Sequence, residues 1–526
     1  MTTIINPFRF AGGHVIEGSA VFNGVDGVLS RTFTSEADHS GSVVFKRSGL
    51  GATQRLFGST LYFDATDHLV IFGLTSTAVF RDPAAWMHLF WNNTGAWING
   101  EVVAGSGSFA TAALVNPKIG GDTNFLDGYI SLFAFGDNQS WTLSQTGDTD
   151  AGGYWEIQSH AFVSTGTDTF KLEGGVDVAA GTDSSGNGND FTPAGTITVT
   201  SDSPTNDQAN GYGNFAVVDG LSHYSAATLE DGSLTTRLGG ANANSFFSTL
   251  MILPGMKVRF EFAPAGNNNS WQPWVGIVTQ QGFHDYPQQT DASANMVRGD
   301  GSTGTGIAWG AQTDTFGVTG IRKVHDNTLV ALIGTLAAGD KVDMYVDMSA
   351  ETAAGGLLYF GVNGGTPVDT AYALDATVPW LICSVEGSLN ASYDGNVHNF
   401  GATGFTNVAP VGYADYVALA TQNFPAPGAG TTPMTGSFTG NTNVDGPFVY
   451  LGFAPDVTGT STIDGNTITW GTHCEAKATG FKVITTVAGY NEAAANAYSI
   501  DVLVTNEGGA IQGSDPASST SQGRAV

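Results

Sequence analysis

The stretch from Trp86 to Asp137 constrains the fold more than any other part of this chain, because it reads as strands joined by tight turns. Trp86–Trp91 (WMHLFW) is apolar on both faces, the pattern of a strand buried between two layers. Asn92-Asn93-Thr94-Gly95 follows with residues that tolerate the left-handed conformations of a hairpin turn. Ala96–Val103 (AWINGEVV) reads as two short strands around the Asn99-Gly100 turn, and Phe125–Phe135 (FLDGYISLFAF) closes the set with apolar residues two apart. Strands this short, with turn chemistry this dense, belong to an antiparallel sandwich.

Composition agrees. The 526 residues suffice for three or four domains, each with a core of its own. Glycine, at 72 residues, is about twice its average share, and charged residues, at 12 %, are about half of theirs. The 11 % aromatic and 41 % hydrophobic residues point to packed cores rather than disorder. The net charge of −29 comes from a shortage of basic residues, 18 against 47 acidic, so no basic face is expected for nucleic acid or an anionic membrane. No run comes near the roughly 18 apolar residues of a spanning helix, and Met1–Pro7 lacks the pattern of a secretory signal. Cys383 and Cys474 sit in strand-like settings and read as buried free thiols in preference to a cross-domain disulfide.

Taken in order, residues 1–14 are a short lead containing INPFRFAGG, and residues 15–145 are the first β-sandwich. Its opening strands are read at Ser30–Thr34, Val43–Ser48, Gln54–Phe57, Leu61–Asp64 and Asp67–Phe72. Residues 146–213 read as a linker region that includes Asp183–Phe191. A second all-β unit is expected over 214–406, with Lys257–Phe262 alternating as a strand with one wet face should. A Pro/Gly-rich linker (407–440), a small C-terminal β domain (441–512) and a mobile tail (513–526) complete the chain. Asn491–Tyr498 is the one short helix candidate in this reading.

The search for chemistry is mostly negative. The ten histidines form no HxH or HExxH pair, and no GxSxG elbow occurs. Asp183–Phe191 imitates the first half of a calcium loop, but Ala194 stands where the closing glutamate would fall, so it reads as a turn-rich linker. A glycosidase would need two carboxylates in register on one face. Asp343 and Asp347 are four apart and read as solvent-facing; Asp148 and Asp150 have the closer spacing but sit in a loop pattern. No enzyme, cofactor or metal is therefore expected. Binding fits better: Trp271 and the segment holding Phe283, His284 and Tyr286 place rings among polar residues, the usual means of stacking on a sugar face. Those four are the candidate binding residues, with loop-pinning an equal alternative. Arg298-Gly299-Asp300 spells an adhesion tripeptide but reads as a turn.

WMHLFW, WINGEVV and FLDGYISLFAF resemble a laminin-G or concanavalin-like jelly roll, and the run WVGI, GDKVDMYVD, LYFGVNGG, VPWL and NFG looks like an SPRY-type sandwich. The resemblances imply an all-β chain of tandem β-sandwiches. The order INPFRFAGG, RSGLGATQRLF, FLDGYI, DSSGNGNDFT, Pro204-Thr205-Asn206, then GFAPD (452–456) and GFKVITT, is similar to a group of marine bacteriophage virion proteins. Residues 454–480 lack the WIK strand that such chains carry, which leaves the fold and role of the last domain open. The resemblance implies a structural virion protein, a tail fibre, tail-associated or head-fibre subunit, which contacts other virion proteins and a host cell-surface glycan. It also implies a homo-oligomer, a trimer by preference. A bacterial surface adhesin and a fibre-borne polysaccharide depolymerase are the alternatives.

Overall fold

The computed structural model describes residues 14–420 apart from 36, 82, 84, 150–154, 161–165, 206, 208–209, 221–226, 239–243, 253–254, 265–273, 280–307, 314–319, 326–327, 336–338, 350–356, 370–373, 375–379 and 387–394; beyond 420 it describes strands alone. Almost every described element is a strand, and the sheets are arranged as sandwiches, so the chain is all-β. Among the described residues no helix is long and apolar enough to cross a membrane.

The first sandwich has its larger sheet in the order Glu101–Val102, Gly95–Ile98, Trp86–Asn92, His39–Arg47, Asp127–Asp137, Ser19–Asn23, Ile197–Thr200, with Phe170–Glu173 also pairing Asp127–Asp137. The facing sheet runs Gly105–Gly107, Leu74–Val79, His68–Ile71, Leu61–Phe63, Gln54–Phe57. Phe45, Leu89, Trp91, Phe133 and Phe135 meet Phe57, Phe63, Leu69 and Ile71 in one buried cluster between them. The other face of the large sheet is covered as well: Val44, Phe90, Tyr129 and Leu132 pack under Trp141, Trp155, Ile157 and Val217. That is why WMHLFW shows no polar alternation. Asn99 (φ 51°) and Gly100 (φ 83°) make the expected tight turn. Ser30–Thr34 is strand only as far as Ser30, in the short Val28–Ser30 strand.

Residues 146–213, read as a linker, do more than link. Phe170–Glu173 and Ile197–Thr200 are strands of the large sheet, and Thr192–Ala194 pairs Val28–Ser30. Between them lies a helix absent from the sequence reading, Gly174–Ala180, closed by Gly181 in the left-handed region (φ 70°). A Cβ at Gly175 would meet the Ser19 carbonyl oxygen at 2.6 Å, so only glycine lets this helix lie on the sheet. The DSSGNG loop is a self-satisfied turn. The Asp183 carboxylate accepts from Lys171 N, Ser185 N, Ser185 Oγ and Asn189 N at 2.8–2.9 Å.

The second sandwich faces a sheet ordered Ala227–Glu230, Thr235–Leu238, Asn396–Asn399, Lys257–Ala263, Val342–Asp347, Leu357–Val362, Val368–Asp369 against a sheet ordered Asn244–Ile252, Trp380–Glu386, Trp274–Thr279, Ala308–Thr313, Gly320–His325, Thr328–Thr335. Phe260, Met344, Phe360 and Phe400 pack on Phe246, Ile277, Trp380 and Ile382. The expected wet face of Lys257–Ala263 is dry. Arg259, Glu261 and Asp343 are buried, with Arg259 Nη2 at 3.0 Å from Glu261 and 2.8 Å from Asp343. Residues 399–417 cover them: Thr406 N and Asn407 N donate to Glu261, and Asn407 Nδ2 donates to Asp343. Asp343 and Asp347 are therefore not solvent-facing, as the strand pattern implied; they are 0 % and 8 % exposed. Cys383 is a buried free thiol whose pKa burial pushes far up; of Cys474, only its place in the Asn466–Lys477 strand is described.

Beyond residue 420 a nine-stranded sheet forms from Met434–Gly436 onward. It extends past the expected domain limits at both ends: Thr439–Gly440 pairs Asp456–Ile463, and Arg524–Ala525 in the expected tail pairs Phe448–Leu451. The helix candidate Asn491–Tyr498 lies outside the described residues except for Tyr498, which begins a strand.

Candidate functional site

Where the two sandwiches meet, a cleft of about 650 Å³ opens, in the size range of sites for small organic ligands. One wall is the loop after His39–Arg47, Ser48–Gln54, together with Asn23–Val25 and Thr123–Phe125; the other is Gly220 and Thr228–Glu230. Arg47 holds the loop from behind. Its guanidinium, fully buried over the Phe63 ring, donates to Phe80 O, Gly49 O and Asp67 Oδ1. Asp67, in the left-handed region (φ 66°), also accepts from Gly51 N and from Arg81 Nε, both at 2.9 Å. A Cβ at Gly49 would lie 2.0 Å from Gln54 Nε2, so a larger residue there would displace the Gln54 amide from the cleft wall.

Two polar atoms are sealed beneath the floor. Ser48 Oγ and Gln54 Oε1 are buried and have no hydrogen-bond partner, although their residues are only 1 % and 5 % exposed. Such groups are normally paired, and leaving one unmade costs about 1–3 kcal/mol. Asp127 lies beside them. Burial pushes its pKa up to about 8, with Asp231 and Glu230 adding to the rise, while the Gly232 N–H and Arg47 oppose it. Near neutrality it is a carboxylic acid, able to donate as well as accept.

The walls are fixed to each other by contacts that cross between the sandwiches. Gly232 N donates to Asp127 Oδ1 at 2.9 Å, Tyr129 Oη to Gly232 O at 2.8 Å, and Ser233 Oγ to Ser48 O at 3.2 Å. Lys46 Nζ, fully buried, sits 2.5 Å from Asp202 Oδ2 and 3.0 Å from Asn214 Oδ1. Trp86 Nε1 donates to the other Asp202 oxygen at 3.0 Å, and the ammonium lies 4.7 Å from the Tyr129 ring centre. The cleft is thus set before any ligand arrives, which lowers the ordering cost of binding. Tyr129→Phe should destabilise the chain by about 1–3 kcal/mol in urea denaturation, because the buried Gly232 carbonyl loses its donor. A change under about 0.3 kcal/mol would show that water replaces the hydroxyl.

The candidate binding residues Trp271, Phe283, His284 and Tyr286 lie outside the described residues, as do Arg298-Gly299-Asp300. Asp148 is an exposed residue of a short strand, Gly147–Thr149, rather than of a loop, and Asp150 is not described. Among the described residues no group of three or more His, Cys, Asp or Glu is placed to hold a metal. The sequence reading did not assign the cleft, although its RSGLGATQRLF segment supplies the main wall; the two glycines flanking Leu50 were the available signal.

No family model matches the chain, and no curated protein matches it. Among solved structures it is similar to the SPRY domain of human HERC1 (15 % identity, 34 % of this chain and 96 % of that one, TM-score 0.26). It is also similar to the TRIM65 PSpry domain (14 %, 35 % and 88 %, TM-score 0.25) and to the Emp47p carbohydrate recognition domain (11 %, 34 % and 83 %, TM-score 0.22). Likenesses this remote say nothing of ligand or role.

Proposed function

We propose that this chain is a non-enzymatic attachment protein that binds glycan in the inter-sandwich cleft. The observation that carries the reading is a preformed cleft of about 650 Å³ between the sandwiches, walled on one side by the Ser48–Gln54 loop. Around it stand Asn124, Thr123 and Thr228 as hydrogen-bonding groups and Phe125, Leu50 and Leu229 as apolar surface. A sugar ring presents both kinds of surface, hydroxyls at its edge and C–H groups on its face. Placement on a virion, as a tail or capsid fibre that meets the host, rests on the sequence resemblance and on the order of its segments. Two measurements test the reading. The full chain on a glycan array should retain at least one saccharide family, and retention of none would overturn the binding role. Gold-labelled antibody should decorate purified particles; label confined to bacterial cell surfaces would replace the virion with an adhesin.

A further inference from the structure

We propose that Lys46 and Asn214 join in a side-chain amide that staples the two sandwiches covalently, with Asp202 carrying the protons. Lys46 is held where a lysine rarely sits. It belongs to His39–Arg47, the middle strand of the large sheet, and its side chain is 0 % exposed beside the Trp86 and Tyr129 rings. Three oxygens meet its nitrogen: Asp202 Oδ2 at 2.5 Å, Asn214 Oδ1 at 3.0 Å and Phe215 O at 3.3 Å. The amide carbon of Asn214 is one C=O bond, about 1.2 Å, beyond the oxygen that Nζ touches. Nucleophile and electrophile are therefore neighbours in the folded chain, and neither has to cross the seam to meet the other.

Asp202 makes the step feasible. An amine attacks only when neutral, and burial disfavours both charges of an enclosed ion pair. Desolvation raises the pKa of Asp202 against the pull of Lys46, Trp86 and the Phe215 N–H. Proton transfer from the ammonium to Asp202 Oδ2 leaves a neutral amine beside the Asn214 amide. Nζ then bonds to Asn214 Cγ, and the bond from Cγ to Nδ2 breaks. Asp202 gives its proton to the departing nitrogen and takes the one that Nζ sheds, so ammonia leaves and a neutral acid remains. The step consumes no other reactant. Water is kept from Lys46 and Asp202, both 0 % exposed, whereas Asn214 is partly exposed and gives ammonia a way out. The new bond joins residues 168 apart in the chain. Tension applied across the sandwiches then passes from Lys46 directly to Asn214 and bypasses residues 47–213.

Intact-mass spectrometry of the purified full chain, followed by peptide mapping, tests the bond. The folded chain should weigh about 17 Da less than its sequence, the mass of one ammonia, and its digest should hold a branched peptide joining Lys46 to Asn214. Asn214→Ala keeps the Lys46–Asp202 pair and should show the full mass and no branch. Asp202→Asn keeps both reacting groups but removes the proton carrier, and should cut the cross-linked fraction about tenfold or more at equal times after purification. The wild-type mass and branch decide the bond even if that variant fails to fold. A wild-type chain of full mass would overturn the proposal. So would a loss of about 17 Da without the Lys46–Asn214 branch, which is ring closure elsewhere, or of about 18 Da with Lys46 joined to Asp202. Unchanged cross-linking in folded Asp202→Asn would overturn the role given to Asp202. In Asn214→Ala chains the ion pair stays an ion pair, and its own contribution to stability is read there.

Discussion

Lys46→Met should lower stability by about 3–5 kcal/mol, most of it recovered when Asp202→Asn is added. Both side chains of this ion pair are 0 % exposed, and they lie at the seam where the strand before the cleft loop meets the start of the second sandwich. Methionine reproduces the lysine stem against Tyr129 and Trp86 but removes the charge. The Asp202 carboxylate is then left buried with Trp86 Nε1 as its remaining side-chain donor. Burial already raises the pKa of Asp202 while Lys46 holds it down, so losing the ammonium pushes that acid toward protonation. The double variant replaces charge on both sides, and its asparagine oxygen still accepts from Trp86. Chemical denaturation followed by tryptophan fluorescence measures the three chains. A single variant costing under 1 kcal/mol would mean that water reaches the seam and that the walls of the cleft are not rigidly joined.

Much of the fold is legible in the sequence because strands announce themselves locally. Trp86–Asn92 shows no polar alternation since both of its faces are covered, and Asn363 (φ 50°), like Asn99, occupies the left-handed turn position that Asn-Gly predicts. The illegible parts are set by distant partners. Gly174–Ala180 begins with two glycines and has poor intrinsic helicity; it exists because it packs on Ser19–Asn23. Phe170–Glu173 and Ile197–Thr200 look like pieces of a polar linker until Asp127–Asp137 and Ser19–Asn23 are seen beside them. Arg259, Glu261 and Asp343 alternate with apolar residues as a wet strand would, yet a segment some 140 residues later in the chain than Glu261 closes over them. The cleft has no local signature either, because it draws on positions near 23, 50, 125 and 229, which only the packed sandwiches bring together.

Between pH 6.5 and 8 the chain should lose about 2 kcal/mol of stability relative to its Asp127→Asn variant. The sign follows from the direction of the shift. Asp127 has its pKa raised from 3.8 to about 8, so across that interval the folded chain keeps a proton that the unfolded chain releases. Stability therefore falls as pH rises through the window and levels off above it. Four buried imidazoles, those of His39, His88, His160 and His398, act in the opposite sense. His88 and His160, both bonded to Ser42 Oγ at 2.7 Å, are pushed below the ordinary value of 6.5, His160 to about 4, chiefly by desolvation. The unfolded chain then binds the extra protons, so the imidazoles destabilise the fold as pH drops below 6.5, where they offset the gain from Asp127. At pH 6.5 the unfolded imidazoles are still half-protonated, so up to about pH 7.5 they take back part of the acid's slope of about 1.4 kcal/mol per pH unit, and the comparison with Asp127→Asn, which keeps them, isolates the acid. Asparagine keeps an oxygen for the Gly232 N–H, so the substitution removes the titration with little change in the contact. Denaturation midpoints at pH 6.5, 7.2 and 8 read the slope directly. A wild-type chain with the same pH dependence as Asp127→Asn would place the Asp127 carboxyl in contact with water, and the cleft would then lose its acid donor near neutrality.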